Sequence, residues 1–227
     1  MIVFHSHPLS LNGLKVHLVL EEAGRPFQAV VVDLEKRASL KSSTLQMNPL
    51  GRVPFIDDDG FILGESSAIM RYLADKWELT DLYPRPPQER ALCDEWLDFT
   101  AQHVNHPLSV VYLARWFVRR QEVEGWGIDV SVQRSALLHL ARNFRILEAR
   151  LRESPFLAGH KPTLADLGLA PFIAVAPGIR LSLDDFPNIA RWREHMLARD
   201  SFRRVADPRL PLSPPARESA PEASFLG

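Results

Sequence analysis

Three short runs carry residue types that could do chemistry. His7-Pro8-Leu9-Ser10-Leu11-Asn12-Gly13 lies between an apolar start, MIVF, and a helical pattern. Ser10 and Asn12 would then stand at a helix N-terminus, where free N–H groups and the positive dipole end favour an anion. The same residues also suit plain helix capping. Asn48-Pro49-Leu50-Gly51-Arg52-Val53-Pro54 leads into an apolar strand signal. A proline there cannot donate to a ladder, so it marks an edge, a turn or a cis bond. Gly64-Glu65-Ser66-Ser67 opens a further helix. Its carboxylate can take an ammonium, while its hydroxyl and helix N–H groups take a carboxylate, which together describe an amino-acid head group. Taken singly, each run fits a structural cap as well as a site.

The elements that must position these runs are legible from periodicity. MIVF reads as a strand, and Leu14–Gly24 as a helix stopped by glycine. FQAVVVD (27–33) is β-branched and reads as a strand buried on both faces. Residues 35–47 are polar and read as helical or irregular. VPFID (53–57) and FILG (61–64) flank Asp57-Asp58-Asp59-Gly60, a hairpin signal. An amphipathic helix follows over 66–77. The order β-α-β-(α)-β-β-α, ending in a hairpin, predicts a mixed sheet over 1–78. Pro84, Pro86 and Pro87 make 79–88 a stiff linker. Beyond it, long amphipathic segments at about 89–120, 130–153, 163–176 and 187–199 predict an all-α bundle over 89–207. Thr163 and Asp166 have capping-box spacing. The run 208–227, with Pro208, Pro211, Pro214, Pro215 and Pro221, reads as a disordered tail.

Composition narrows the function classes. Of 227 residues, 27 are Lys or Arg and 28 are Asp or Glu, a net charge of −1. That balance supplies no field for tracking phosphates, so neither nucleic acid nor an anionic membrane is an expected partner. Cys93 is the single cysteine, which excludes an internal disulfide, a CxxC pair and a thiolate metal site. His5 and His7 have no third ligand at zinc spacing, so no metal is expected. The start MIVFHSHPLS has neither a basic nor an apolar signal region, and the longest apolar stretch, Leu167–Ile179, is broken by Gly168, Pro171, Pro177 and Gly178. A cytoplasmic protein is the expectation. No G-x-S-x-G elbow occurs to support a hydrolase.

In order and spacing, these motifs resemble the glutathione transferase superfamily over roughly 1–205. NPLGRVPFIDDDGFILGESSAIMRYLADKW is similar to that family's NP-x-G-K/R-V-P … L-x-E-S-x-A-I-x-x-Y-L stretch, and GHKPTLADLGLA to its G-x-x-P-T-x-A-D helix. The resemblance implies a thioredoxin-like α/β N-terminal domain with a four-stranded mixed sheet, an all-helical C-terminal domain, a homodimer, and glutathione as co-substrate against a small electrophile. It also implies residue roles. Val53 would pair its backbone with the cysteinyl part of glutathione, Pro54 would be a cis proline, and Glu65 and Ser66 would hold the γ-glutamyl end. Lys41 and Arg52 would lie near the glycyl carboxylate. His103, Asn105, His106 and Arg115 are candidates for the electrophile pocket.

The thiol activator stays open. Ser10 resembles the serine of the theta, delta and zeta classes, whereas Asn12-Gly13-Leu14-Lys15-Val16 resembles the N-G-x-K-V/I of the nu class. The serine reading predicts transfer to an electrophile; the nu-like one favours disulfide or peroxide reduction. A transferase-fold binding module without catalysis is the remaining alternative.

Overall fold

A computed structural model describes residues 1–34, 40–117 and 128–214. The N-terminal half runs β1 (Ile2–Ser6), α1 (Leu11–Ala23), β2 (Phe27–Val31), α2 (Ser42–Met47), β3 (Phe55–Asp58), β4 (Phe61–Leu63) and α3 (Ser66–Lys76). The sheet has the order β2-β1-β3-β4, with β1 parallel to β2 and the remaining pairs antiparallel. It is the mixed sheet that the alternation of periods predicts, in the thioredoxin-like form that the family resemblance implies.

The hairpin follows from local chemistry. Asp59 and Gly60 both take positive φ (52° and 93°), the requirement of a two-residue turn that matches strand twist. The Gly60 N–H donates to Asp57 Oδ1 at 2.7 Å. One expectation is corrected: β2 is an edge strand and is not buried on both faces, and Val31 is 67% exposed. Three β-branched residues in a row signal extended backbone, not where the strand sits in the sheet.

The second half is helical: α4 (Pro87–Phe99), α5 (His106–Tyr112), α6 (Val130–Glu153), α7 (Leu164–Val175), α8 (Pro187–Leu197) and α9 (Asp200–Val205). The segment expected as one long helix from 89 changes pitch twice, with π-helical turns at Thr100–Asn105 and Leu113–Phe117. Pro107 gives the first of these a sequence-level cause. It has no N–H for the carbonyl of His103 four residues back, and Asn143 of α6 donates to that oxygen at 2.6 Å instead.

The predicted Thr163–Asp166 capping box is present at the head of α7. Asp166, fully buried, also accepts from Leu157 N–H at 3.0 Å and Trp192 Nε1 at 2.9 Å, so one carboxylate ties three segments together. Burial pushes this carboxyl up, against the pull of those donors.

One apolar core runs through both halves, with α1 packed between α3, α7 and α9. Tyr112 of α5 donates to the Leu9 carbonyl at 3.2 Å, just ahead of α1. The run read as a tail is ordered where it begins: Leu210 is 5% exposed, and Arg193 donates to the Leu212 carbonyl. The start of this run folds back on the 3₁₀ turn Pro177–Ile179, where a Cβ on Gly178 would lie 1.9 Å from the Pro211 oxygen. Positions 215–227 lie outside the described residues. Among the described residues, no helix is long and apolar enough to cross a membrane.

Candidate functional site

The head of α1 is held close to β1. A Cβ on Gly13 would meet Ser6 Oγ at 1.9 Å, so only glycine allows this helix start to sit against the strand end. Ser10 is the N-cap, and its Oγ accepts from Gly13 N–H at 3.1 Å. A hydroxyl that accepts in this way keeps its own proton to donate.

Asn12 points the other way, toward α3 and the helical half. Its Nδ2 donates to Asn105 Oδ1 at 3.3 Å, and its Oδ1 accepts from Asn105 Nδ2 at 3.2 Å and from Ser66 Oγ at 3.3 Å. Asn105 lies in the π turn made by Pro107, so the change of pitch helps to set where the two halves meet.

Around that contact is a cavity of about 170 Å³. Asn12 and Lys15 of α1, the Asn48–Pro54 loop, Glu65, Ser66 and Ser67 at the head of α3, and Ala101 and Asn105 line it. The loop is organised by Asn48, whose Nδ2 donates to the Arg52 carbonyl at 2.8 Å and whose Oδ1 accepts from Leu50 N–H at 3.3 Å. The Val53–Pro54 bond is cis, which is what the family resemblance implied for Pro54 and one of the three readings the residues alone left open.

Glu65 has φ 60° and ψ 107° without being glycine. Holding a side chain in that region costs about 1–3 kcal/mol, and such strain concentrates at ligand sites. α3 is anchored behind it. Arg71 donates to Asp94 and Asp98 of α4, each at 2.6 Å, and the two carboxylates outweigh burial to hold the guanidinium charged.

The other predicted residues separate. Arg52 is an exposed part of the cavity wall. Lys41, exposed at the start of α2, is not in that wall. The four electrophile-pocket candidates do not form one group. His103 and His106 line a different cavity, of about 430 Å³, against Val132, Ala136 and His139 of α6. Arg115 turns inward to the carbonyls of Ile179 and Arg180, at 3.0 and 3.1 Å. Only Asn105 reaches the Asn12 cavity. Helical numbering alone treats 103, 105 and 106 as neighbours, but α4–α5 presents them to opposite sides.

Lys15 stands in the sequence as part of the Asn12-Gly13-Leu14-Lys15-Val16 run, with no role of its own assigned there. Its side chain is 1% exposed, its ammonium lies 5.6 Å from the centroid of the Phe172 ring of α7, and it lines the cavity. Burial lowers its pKa to about 8, with Glu65 favouring the charge and Arg71 opposing it. The available signal was its position three residues after Asn12, which places both on one face of α1.

Comparison with known proteins bears on what such a cavity is for. The sequence profile of the glutathione S-transferase N-terminal domain matches residues 9–76, and that of the C-terminal domain matches residues 127–200. Glutathione S-transferase 3 of Zea mays is 34% identical over 221 residues, covering 94% of this chain and 96% of its own. The crystal structure of glutathione transferase F2 from Populus trichocarpa superposes with a TM-score of 0.82 at 29% identity, over 90% of this chain and 97% of the other. URE2P6 from Phanerochaete chrysosporium, solved in complex with oxidised glutathione, gives a TM-score of 0.80 at 26% identity, over 93% and 97% of the two chains.

Proposed function

The chain belongs to the glutathione transferase superfamily and is a transferase enzyme, and on that premise we propose that the Asn12–Ser66 cavity binds glutathione and that Ser10 activates its thiol. The carrying observation is the cavity itself, which gathers Glu65, Ser66 and the head of α3 opposite the Asn48–Pro54 loop. Glu65 takes the γ-glutamyl ammonium. Ser66 and the free N–H groups of α3 take its carboxylate. Val53 pairs its backbone with the cysteinyl part, and Arg52 with Lys41 beyond it serves the glycyl end.

The chemistry asked of α1 is modest. A free thiol has a pKa of roughly 8.5, so only a few per cent is thiolate at neutral pH. Lowering that by about two units requires roughly 2.7 kcal/mol of preferential stabilisation of the thiolate. One hydroxyl donor and the N-terminal end of α1 are of that order. Ser10 suits the task because its oxygen already accepts from Gly13 and its proton is left to donate. Asn12 is engaged with Asn105 and Ser66. The thiolate then attacks a small electrophile, and no protein group need ionise.

A second reading, reduction of disulfides at the same site, draws support from the likeness to the fungal protein solved with oxidised glutathione. A two-fold dimer is part of the proposal on the family resemblance.

The test is calorimetry with glutathione on the intact chain and on Glu65→Ala and Ser66→Ala, followed by halo-aromatic, alkyl halide and disulfide substrates. Losing a charge-assisted bond should weaken affinity about ten- to hundredfold. Unchanged affinity in both variants would remove the assignment.

A further inference from the structure

Lys15 poses a physical problem that its local structure does not answer. Lysine is almost never fully buried unless its charge is paired. Here the side chain is 1% exposed, it lies over the Phe172 ring, and it has no hydrogen bond or ion pair among the described residues. The charged groups that act on it from α3 are Glu65, which is exposed, and Arg71, which is already shared between Asp94 and Asp98. Yet Lys15 is part of the cavity wall, beside Asn12, Glu65, Ser66 and Ser67.

We propose that Lys15 is the counter-ion for the α-carboxylate at the γ-glutamyl end of the bound peptide, so that the site is built for a zwitterionic head group with one protein charge for each of its two charges. This rests on the reading of that cavity as the glutathione site and deepens it. Glu65 answers the ammonium. Ser66 and backbone N–H groups orient the carboxylate but leave its charge uncompensated, and Lys15 supplies the missing unit. The sulfur is a poorer partner for Lys15. Asn12 and Lys15 share a face of α1, and Asn12 Oδ1 accepts from Ser66, so Lys15 belongs to the α3 end of the cavity. Ser10 caps the helix five positions earlier, on another face, and is not in the cavity wall. The lowered pKa of Lys15, about 8, adds a consequence. Above that pH the free protein holds much of this lysine neutral, and binding a carboxylate should draw a proton onto it.

The test is calorimetry on the full chain with S-methylglutathione, whose blocked sulfur removes thiol ionisation from the measurement. Lys15→Met should weaken binding about ten- to hundredfold at pH 7, and Lys15→Arg should stay within a few fold of the parent. An analogue with 4-aminobutanoyl in place of the γ-glutamyl group lacks the α-carboxylate; parent and Lys15→Met should bind it alike. At pH 8.5, in two buffers of different ionisation enthalpy, the parent should take up about three-quarters of a proton more than Lys15→Arg, given a pKa of about 8. If Lys15→Met binds S-methylglutathione as the parent does, or carries the same penalty on the analogue, the pairing is wrong while the glutathione site stands. If the parent binds neither glutathione nor its S-methyl form, the site reading fails and this inference with it.

Discussion

Removing the buried charge should make the unliganded protein more stable. In Lys15→Met the stem of the side chain is replaced by one of similar volume with no ion to desolvate. Burial lowers the lysine from 10.5 to about 8, a shift equivalent to about 3 kcal/mol of destabilisation of the folded state wherever the group is charged in both states. Loss of the contact with Phe172 returns about 0.5–1 kcal/mol, leaving a net gain of about 2–3 kcal/mol at pH 7. For a chain of this size that is roughly 4–12 °C in Tm. The sign with pH is definite. Between about 8 and 10.5 the unfolded chain holds a proton that the folded chain has lost, so the parent gains stability as pH rises through that window. The advantage of Lys15→Met is therefore full below pH 8 and fades toward pH 10.5. Urea unfolding followed by tryptophan fluorescence, for both proteins at pH 7 and at about pH 9.5, measures it. A variant less stable than the parent at pH 7, or a difference that does not change with pH, would refute the view of Lys15 as a charge kept for a ligand.

Three further outcomes are expected. Ser10→Ala should raise the pKa of bound glutathione thiol and lower kcat by about one to two powers of ten, as for a lost hydrogen bond to an ion. Asn12→Ala should act mainly on the contact with Asn105; thiolate absorbance against pH in both variants checks the order, and its reversal would move the activating role to Asn12. The carboxyl of Asp58 is held below the usual carboxylate range by hydrogen bonds from Lys76 and Tyr72, which stabilises the fold above the unfolded carboxylate pKa and is lost as pH falls through the folded value. The stability difference between the parent and Asp58→Asn should accordingly collapse on acidification from about pH 5 to pH 2, read by denaturant midpoints. Light scattering at micromolar concentration should give twice the chain mass, and a monomer would exclude the proposed dimer.

How far the chain announces all this depends on the range of the forces involved. Period and turn chemistry are local. The β-α-β-(α)-β-β-α order, the Asp59-Gly60 hairpin, the Thr163–Asp166 box and the long helices are therefore legible in residues that lie within a few positions of one another. The three candidate runs are legible for the same reason, since each is a helix head or a strand entry with polar side chains at fixed offsets. Tertiary structure decided what those offsets face. Three valines mark β2 as extended, but only the packing of the sheet makes it an edge and leaves Val31 in water. Pro107 can be read as a break, but not that Asn143 takes up the carbonyl it leaves free, nor that the new pitch sends Asn105 to Asn12 and His103 and His106 to another cavity. A proline-rich end reads as loose until Leu210 and the Leu212 carbonyl meet the helices that hold them. Lys15 shows the limit most plainly. As a letter it is one more cation on an amphipathic helix, and its meaning comes from α7 closing over it and α3 opening a cavity beside it. Burial is a sum over distant segments of the chain, and a sum of that kind is settled only by packing.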